Sequence, residues 1–183
     1  FVAVWDQDSA SGTTLYIDGV AEGTDSGTIG NVGAIDGTQP FIIGAESDGD
    51  NPFDGKLDEI RLYDRILSTT EAANLYRLTT PTGVDTSLKG YWSFNGQDTT
   101  STIAYDRSGV GNDGTLTGGP PVVEGRVGQA LSFDNVNDYV LAGSPAAVDD
   151  LETQGGGGLT ASAWIYPESG GTFGGVIVGK RAA

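Results

Sequence analysis

Asp106, Ser108, Asn112 and Asp113 place four oxygen-bearing side chains within the eight residues 106–113, DRSGVGND. Calcium takes about six to eight oxygen ligands, and the interspersed glycines allow main-chain carbonyls to turn toward an ion. The same loop can also close on itself, because Asp, Asn and Ser side chains hydrogen-bond their own backbone in Asx and ST turns. Sequence leaves both readings open. A second acidic stretch, ESDGDNPFDG, gathers Asp48, Asp50, Asn51 and Asp54 but lacks the glycine and terminal glutamate of a helix–loop–helix calcium loop. It reads as a solvated turn. A third group, Asp134, Asn135, Asn137 and Asp138 in FDNVNDYV, reads as a hairpin turn between two strands.

The chain has no His and no Cys, which removes imidazole bases and thiolate nucleophiles and leaves carboxylates as the strong acid–base groups. A retaining glycosidase needs two carboxyl groups about 5 Å apart. On a strand that calls for alternate residues, so that both point the same way. Asp58-Glu59 and Asp149-Asp150 come nearest, and neighbours on a regular strand point to opposite faces; no enzyme is expected. Saccharide recognition asks for less, namely an exposed ring beside amide or carboxylate groups. Trp5, Tyr91, Trp92, Trp164 and Tyr166 are the candidate rings, and each can equally be a core residue.

Charge narrows the partners. With 25 acidic residues against 9 basic, the net charge is −16. Such a chain repels nucleic acid and anionic membrane, both of which are bound through clustered Lys and Arg. No apolar run approaches the roughly 18–20 residues of a membrane span, so no membrane insertion is expected.

The elements that must position these residues are short. Thirty glycines and brief apolar runs point to an all-β fold with tight turns. TTLYIDGV (13–20) reads as a hairpin turning at Asp18-Gly19, and QPFIIGAE (39–46) as a buried strand. In KLDEIRLYDR (56–65), Ile60 and Leu62 alternate with Arg61 and Tyr63. One short helix follows, opened by Ser68 and Glu71 in capping-box spacing. Further strands are predicted at 89–94, 129–135, 138–143, 159–167 and 174–180. In LTASAWIYP, Leu159, Ala161, Ala163 and Ile165 share the face opposite Trp164 and Tyr166. TTPTGVDTS (79–87) has linker chemistry.

Several of these stretches together resemble modules of the laminin G-like, concanavalin A-like lectin/glucanase superfamily. WSFNGQ with AYDRSGVGNDGTLTGG, GQALSFDNVNDYV and TASAWIYP are similar to the opening of such a module. FVAVWD, LYIDGV, FIIG and FDGKLDEIRLYDRILSTTE are similar to its close. The closing motifs come first in the chain. This order implies the C-terminal half of one module at 1–78, a linker at 79–87 and the N-terminal half of a module at 88–183, the halves completing one permuted or strand-exchanged sandwich or belonging to tandem copies. The resemblance implies an antiparallel two-sheet jelly-roll sandwich. It also implies a structural calcium at the rim, with Asp58 or Glu59 completing the shell begun by Asp106, Ser108, Asn112 and Asp113. The implied function is noncatalytic extracellular or cell-surface binding and adhesion, with a glycan or surface polymer as partner. The alternative is a subunit of an extracellular fibre, in which copies of the chain exchange strands.

Overall fold

The computed structural model describes residues 2–6, 13–25, 41–46, 49–77, 85–142, 158–168 and 175–180. Asp48, Asp149, Asp150, the Trp5 side chain and most of the 79–87 segment fall outside them. Thirteen strands and one helix follow in order: β1 (Val2–Asp6), β2 (Thr13–Ile17), β3 (Val20–Asp25), β4 (Phe41–Ile43), β5 (Asp54–Tyr63), α1 (Thr69–Tyr76), β6 (Leu88–Trp92), β7 (Ile103–Ala104), β8 (Gly114–Thr117), β9 (Val122–Glu124), β10 (Gln129–Asp134), β11 (Tyr139–Leu141), β12 (Gly158–Pro167) and β13 (Val178–Lys180). The hairpin at Asp18-Gly19, the buried strand at 41–43 and the capped helix all stand where sequence put them. The short strands β7, β8 and β9 did not stand out in the sequence, since two to four residues show no alternation to read.

Two antiparallel sheets form a sandwich. The larger runs β3-β2-β1-β12-β5-β10-β9, with β6 also paired to β5; the smaller runs β13-β4-β11-β8-β7. Both sheets therefore interleave strands from before α1 with strands from after it. Between the sheets lie Leu57, Ile60, Leu62, Trp92, Leu131, Phe133, Ala161 and Ala163 from the larger and Phe41, Ile43, Ala104 and Val140 from the smaller. The alternation in KLDEIRLYDR and LTASAWIYP sends their apolar residues into this layer. Trp92, fully buried, stacks on Phe41 with ring centroids 5.8 Å apart and donates its indole N–H to the Asn112 carbonyl at 3.0 Å.

Helix α1 carries out its capping box as sequence implies. Ser68 Oγ accepts from the Glu71 amide at 3.3 Å, and Glu71 Oε2 accepts from the Ser68 amide at 2.8 Å. Arg65 clamps the same Glu71 with two hydrogen bonds and reaches Asp85 at 3.1 Å. These hydrogen bonds from Arg65 hold the Glu71 carboxyl down to about 2. The helix seats Ala72 and Leu75 against Tyr16 of β2.

Truncating Trp92 removes the largest core side chain and leaves a cavity between the sheets. Trp92→Ala should cost about 3–5 kcal/mol in urea unfolding. A loss below about 1 kcal/mol would contradict the packing described.

Candidate functional site

The outer face of the larger sheet is organised by an irregularity in its central strand. Opposite β12, Asp58 pairs with Trp164 and Arg61 with Ser162, so Glu59 and Ile60 together face Ala163 alone. This is a β-bulge, and Glu59 sits in the left-handed region with φ of 55°. The extra residue shifts the alternation. Leu57 and Ile60 point into the core, while Lys56, Asp58, Glu59 and Arg61 all line the outer surface. The expectation that Asp58 and Glu59 diverge to opposite faces fails, because it assumed a regular strand. Each carboxylate is nonetheless bound by its own donors. Glu59 accepts from the Tyr91 hydroxyl at 2.9 Å and pairs with Arg61, whose guanidinium lies over the Tyr91 ring. Burial, with Glu59 adding to it, pushes the Tyr91 phenol up to about 12.

Asp58 lies beneath the β9–β10 turn. Its Oδ2 accepts the Arg126 and Val127 amides, both at 2.8 Å, while Oδ1 is buried without a partner. A Cβ at Gly125 would come within 2.7 Å of Asp58 Oδ2, so glycine is what lets the turn close over the carboxylate. Only 2% of Asp58 is exposed. Burial raises its carboxyl from 3.8 to about 6, against the lowering effect of the Val127 and Arg126 amides; Glu59 next door adds to the rise.

Beside Asp58 opens a groove of about 270 Å³ bordered by Lys56, Glu124, Gly125, Arg126, Trp164 and Tyr166. Tyr166 is 64% exposed. The half-buried Trp164 is braced by Tyr76 of α1, their centroids 5.5 Å apart, with the Arg126 guanidinium 5.0 Å from its ring. Lys56 Nζ lies 5.4 Å from the Tyr166 ring. Of the candidate rings, then, Trp92 is core, Tyr91 lies under Arg61, and Trp164 and Tyr166 face the groove. Lys56, Glu124, Gly125 and Arg126 were missed in the sequence. The Gly-Arg-Val-Gly run (125–128) signals a turn but not what lies under it.

The Asp106 loop is elsewhere, along the edge of β6. Asp106 Oδ1 accepts from the Tyr91 and Ser108 amides, and Oδ2 from the Gly111 and Asn112 amides and the Ser108 hydroxyl. Asp113 Oδ1 accepts the Asp106 amide at 2.8 Å, and Asn112 donates to the Lys89 carbonyl at 2.6 Å. Asn112 Oδ1 is buried without a partner. The structure thus joins four of the six residues considered for calcium; Asp58 and Glu59 keep the separate partners given above. Among the described residues no three carboxylates converge as a metal would require. In this arrangement Asp106 already accepts five N–H and O–H donors, which an ion bound at its carboxylate would have to displace. Of the other acidic groups, Asp138 is buried beside Asp134, whose amide its Oδ2 accepts at 3.2 Å. The Val136 and Asn137 amides donate to Asp134, as a turn between β10 and β11 requires.

Two measurements follow. Because the folded state holds the Asp58 proton more tightly than the unfolded chain, Asp58 lowers stability as pH rises from about 4 to about 6, by at most about 3 kcal/mol. Asp58→Asn should lose that slope in urea unfolding across the window, and parallel pH profiles for the two proteins would refute it. For the Asp106 loop, thermal melting in millimolar calcium and then in chelator should give the same midpoint. A rise of several degrees with calcium would show that the loop rearranges to take the ion.

The comparisons with known proteins bear on this architecture. The laminin G-like family model described as the concanavalin A-like lectin/glucanases superfamily matches residues 1–73. No curated protein and no solved structure matched the chain. Laminin G-like modules are generally noncatalytic binding units and are often extracellular. Among the described residues no helix is long and apolar enough to cross a membrane. Residues 1–73, with the hairpin β2–β3, the central strand β5 and the start of α1, are laminin G-like sequence, and the chain they open is a concanavalin A-like β-sandwich.

Proposed function

We propose that this sandwich is a noncatalytic binding module of a larger extracellular or cell-surface protein, and that it takes a glycan in the groove beside Asp58. The observation that carries the reading is the pairing of an exposed ring, Tyr166, with a braced one, Trp164, two residues apart on a rigid strand. Sugars present apolar C–H faces that stack on rings and hydroxyls that need hydrogen-bond partners at the ring edge. Lys56, Glu124 and Arg126 supply such partners on the same face. Both rings stand on β12, which pairs with β5 at Trp164 and Tyr166 themselves and is held by β1 along the preceding residues 158–162. The platform is therefore preorganised, and little ordering entropy would be lost on binding.

Screening against a glycan array, followed by calorimetry on the best hits, tests the reading. Tyr166→Ala, an exposed change that leaves the core intact, should weaken binding about tenfold, equivalent to about 1.4 kcal/mol. Unchanged affinity in that variant would move the site off this groove. A wild-type chain that bound no glycan and polymerised instead would favour the fibre subunit.

A further inference from the structure

We propose that the ligand of this groove is an acidic saccharide, its anionic group held against Lys56 and Arg126 while a sugar ring lies on Tyr166. The inference rests on the reading of the groove as a glycan site and adds the charge of the glycan. It starts from how the protein spends its few cations. Arg61, Arg65, Lys89 and Arg107 are each tied to a carboxylate, as a net charge of −16 leads one to expect. Lys56, Arg126 and Arg77 at the C-cap of α1 have no carboxylate ion pair among the described residues, and the first two border one groove. Glu124 lines the same groove without closing an ion pair on either of them. Asp58, directly below, accepts the Arg126 amide and not its guanidinium.

Aromatic rings hold both cations instead, the guanidinium near Trp164 and the ammonium near Tyr166. A cation–π contact positions the charge without using its N–H donors, which stay available to an incoming carboxylate or sulfate. Lys56 and Arg126 face Glu124 and Asp58 in the same groove, so while Asp58 is protonated the cations outnumber the anions and leave a local positive charge for which an anionic ligand would be selected.

Asp58 adds a second mark. It is almost wholly buried beside the groove, and one of its oxygens has no partner. Once ionised it opposes a bound anion; once protonated it does not. The charged groups facing it are Lys56 and Glu59 from its own strand and Glu124 and Arg126 from β9 and the turn after it, while β12 brings the uncharged Trp164, Ile165 and Tyr166. With its carboxyl titrating at about 6, affinity for an acidic saccharide should rise as pH falls through that value.

The experiment is calorimetry of the whole chain with three oligosaccharides of matched length: a neutral glucan, an oligouronate and a sulfated glucan. At least one acidic probe should bind tenfold or more tighter than the neutral one, with an advantage that shrinks as salt is added. The double variant Lys56→Gln/Arg126→Gln should abolish that advantage, weakening the acidic probe by at least tenfold more than the neutral one, and Tyr166→Ala should weaken all three probes. Asp58→Asn should flatten the pH dependence of acidic binding. Which of carboxylate or sulfate binds more tightly identifies the anion. Neutral binding as tight as acidic would overturn the charge inference and leave the glycan reading standing. Binding of none of the three, by a chain that circular dichroism shows to be folded, would overturn both.

Discussion

Strand β5 is the element on which the sandwich depends. It runs ten residues, pairs with β12 along most of one edge, and on the other edge pairs first with β10 and then with β6. A strand shared in this way joins the polypeptide before α1 to the polypeptide after it along both of its edges, through β12 on one and β10 and β6 on the other. Its inward residues Leu57, Ile60 and Leu62 are fully buried. Parting the two segments of chain would expose those side chains and leave the backbone groups of β5 without partners on both edges, so each segment contributes burial and hydrogen bonds to the other.

The same strand shapes the surface. One extra residue at Glu59 changes which side chains face outward, and the two carboxylates that result are settled by different neighbours. Glu59 has a phenol and a guanidinium; Asp58 has two amides from a turn that only a glycine lets close. A paired acid of the first kind is held in place. A buried acid of the second kind resists ionisation, since two amide bonds do not replace the water it has lost. The groove beside Asp58 inherits this asymmetry, with two rings, two cations without ion-pair partners and a carboxyl whose charge responds to mild acid.

Turn chemistry does comparable work at the rim. Asp106 gathers five donors from Tyr91, Ser108, Gly111 and Asn112 and so seals the free edge of β6. Asn112 reaches the Lys89 carbonyl with its side chain and the Trp92 indole with its own carbonyl, tying the loop to both the edge and the core. An edge covered like this is not a template for another chain.

Sequence by itself determined the class and most of the elements. Period-two alternation in KLDEIRLYDR and LTASAWIYP, the Asp18-Gly19 turn and the Ser68/Glu71 capping box are local signals, and local signals survive without a partner strand. The motifs FDGKLDEIRLYDR and LYIDGV also carried the family resemblance, because they combine that alternation with turns at fixed spacing. The site was only partly legible. Trp164 and Tyr166 could be placed opposite the apolar face of β12, but which ring met solvent depended on α1 covering one and not the other. The bulge at Glu59 is invisible in a string of residues, since it is a mismatch in count between β5 and β12, which lie about a hundred positions apart. Lys56, Asp58 and Arg126 share a groove for the same reason: tertiary pairing brings β5, β12 and the β9–β10 turn together, and no spacing along the chain encodes that meeting.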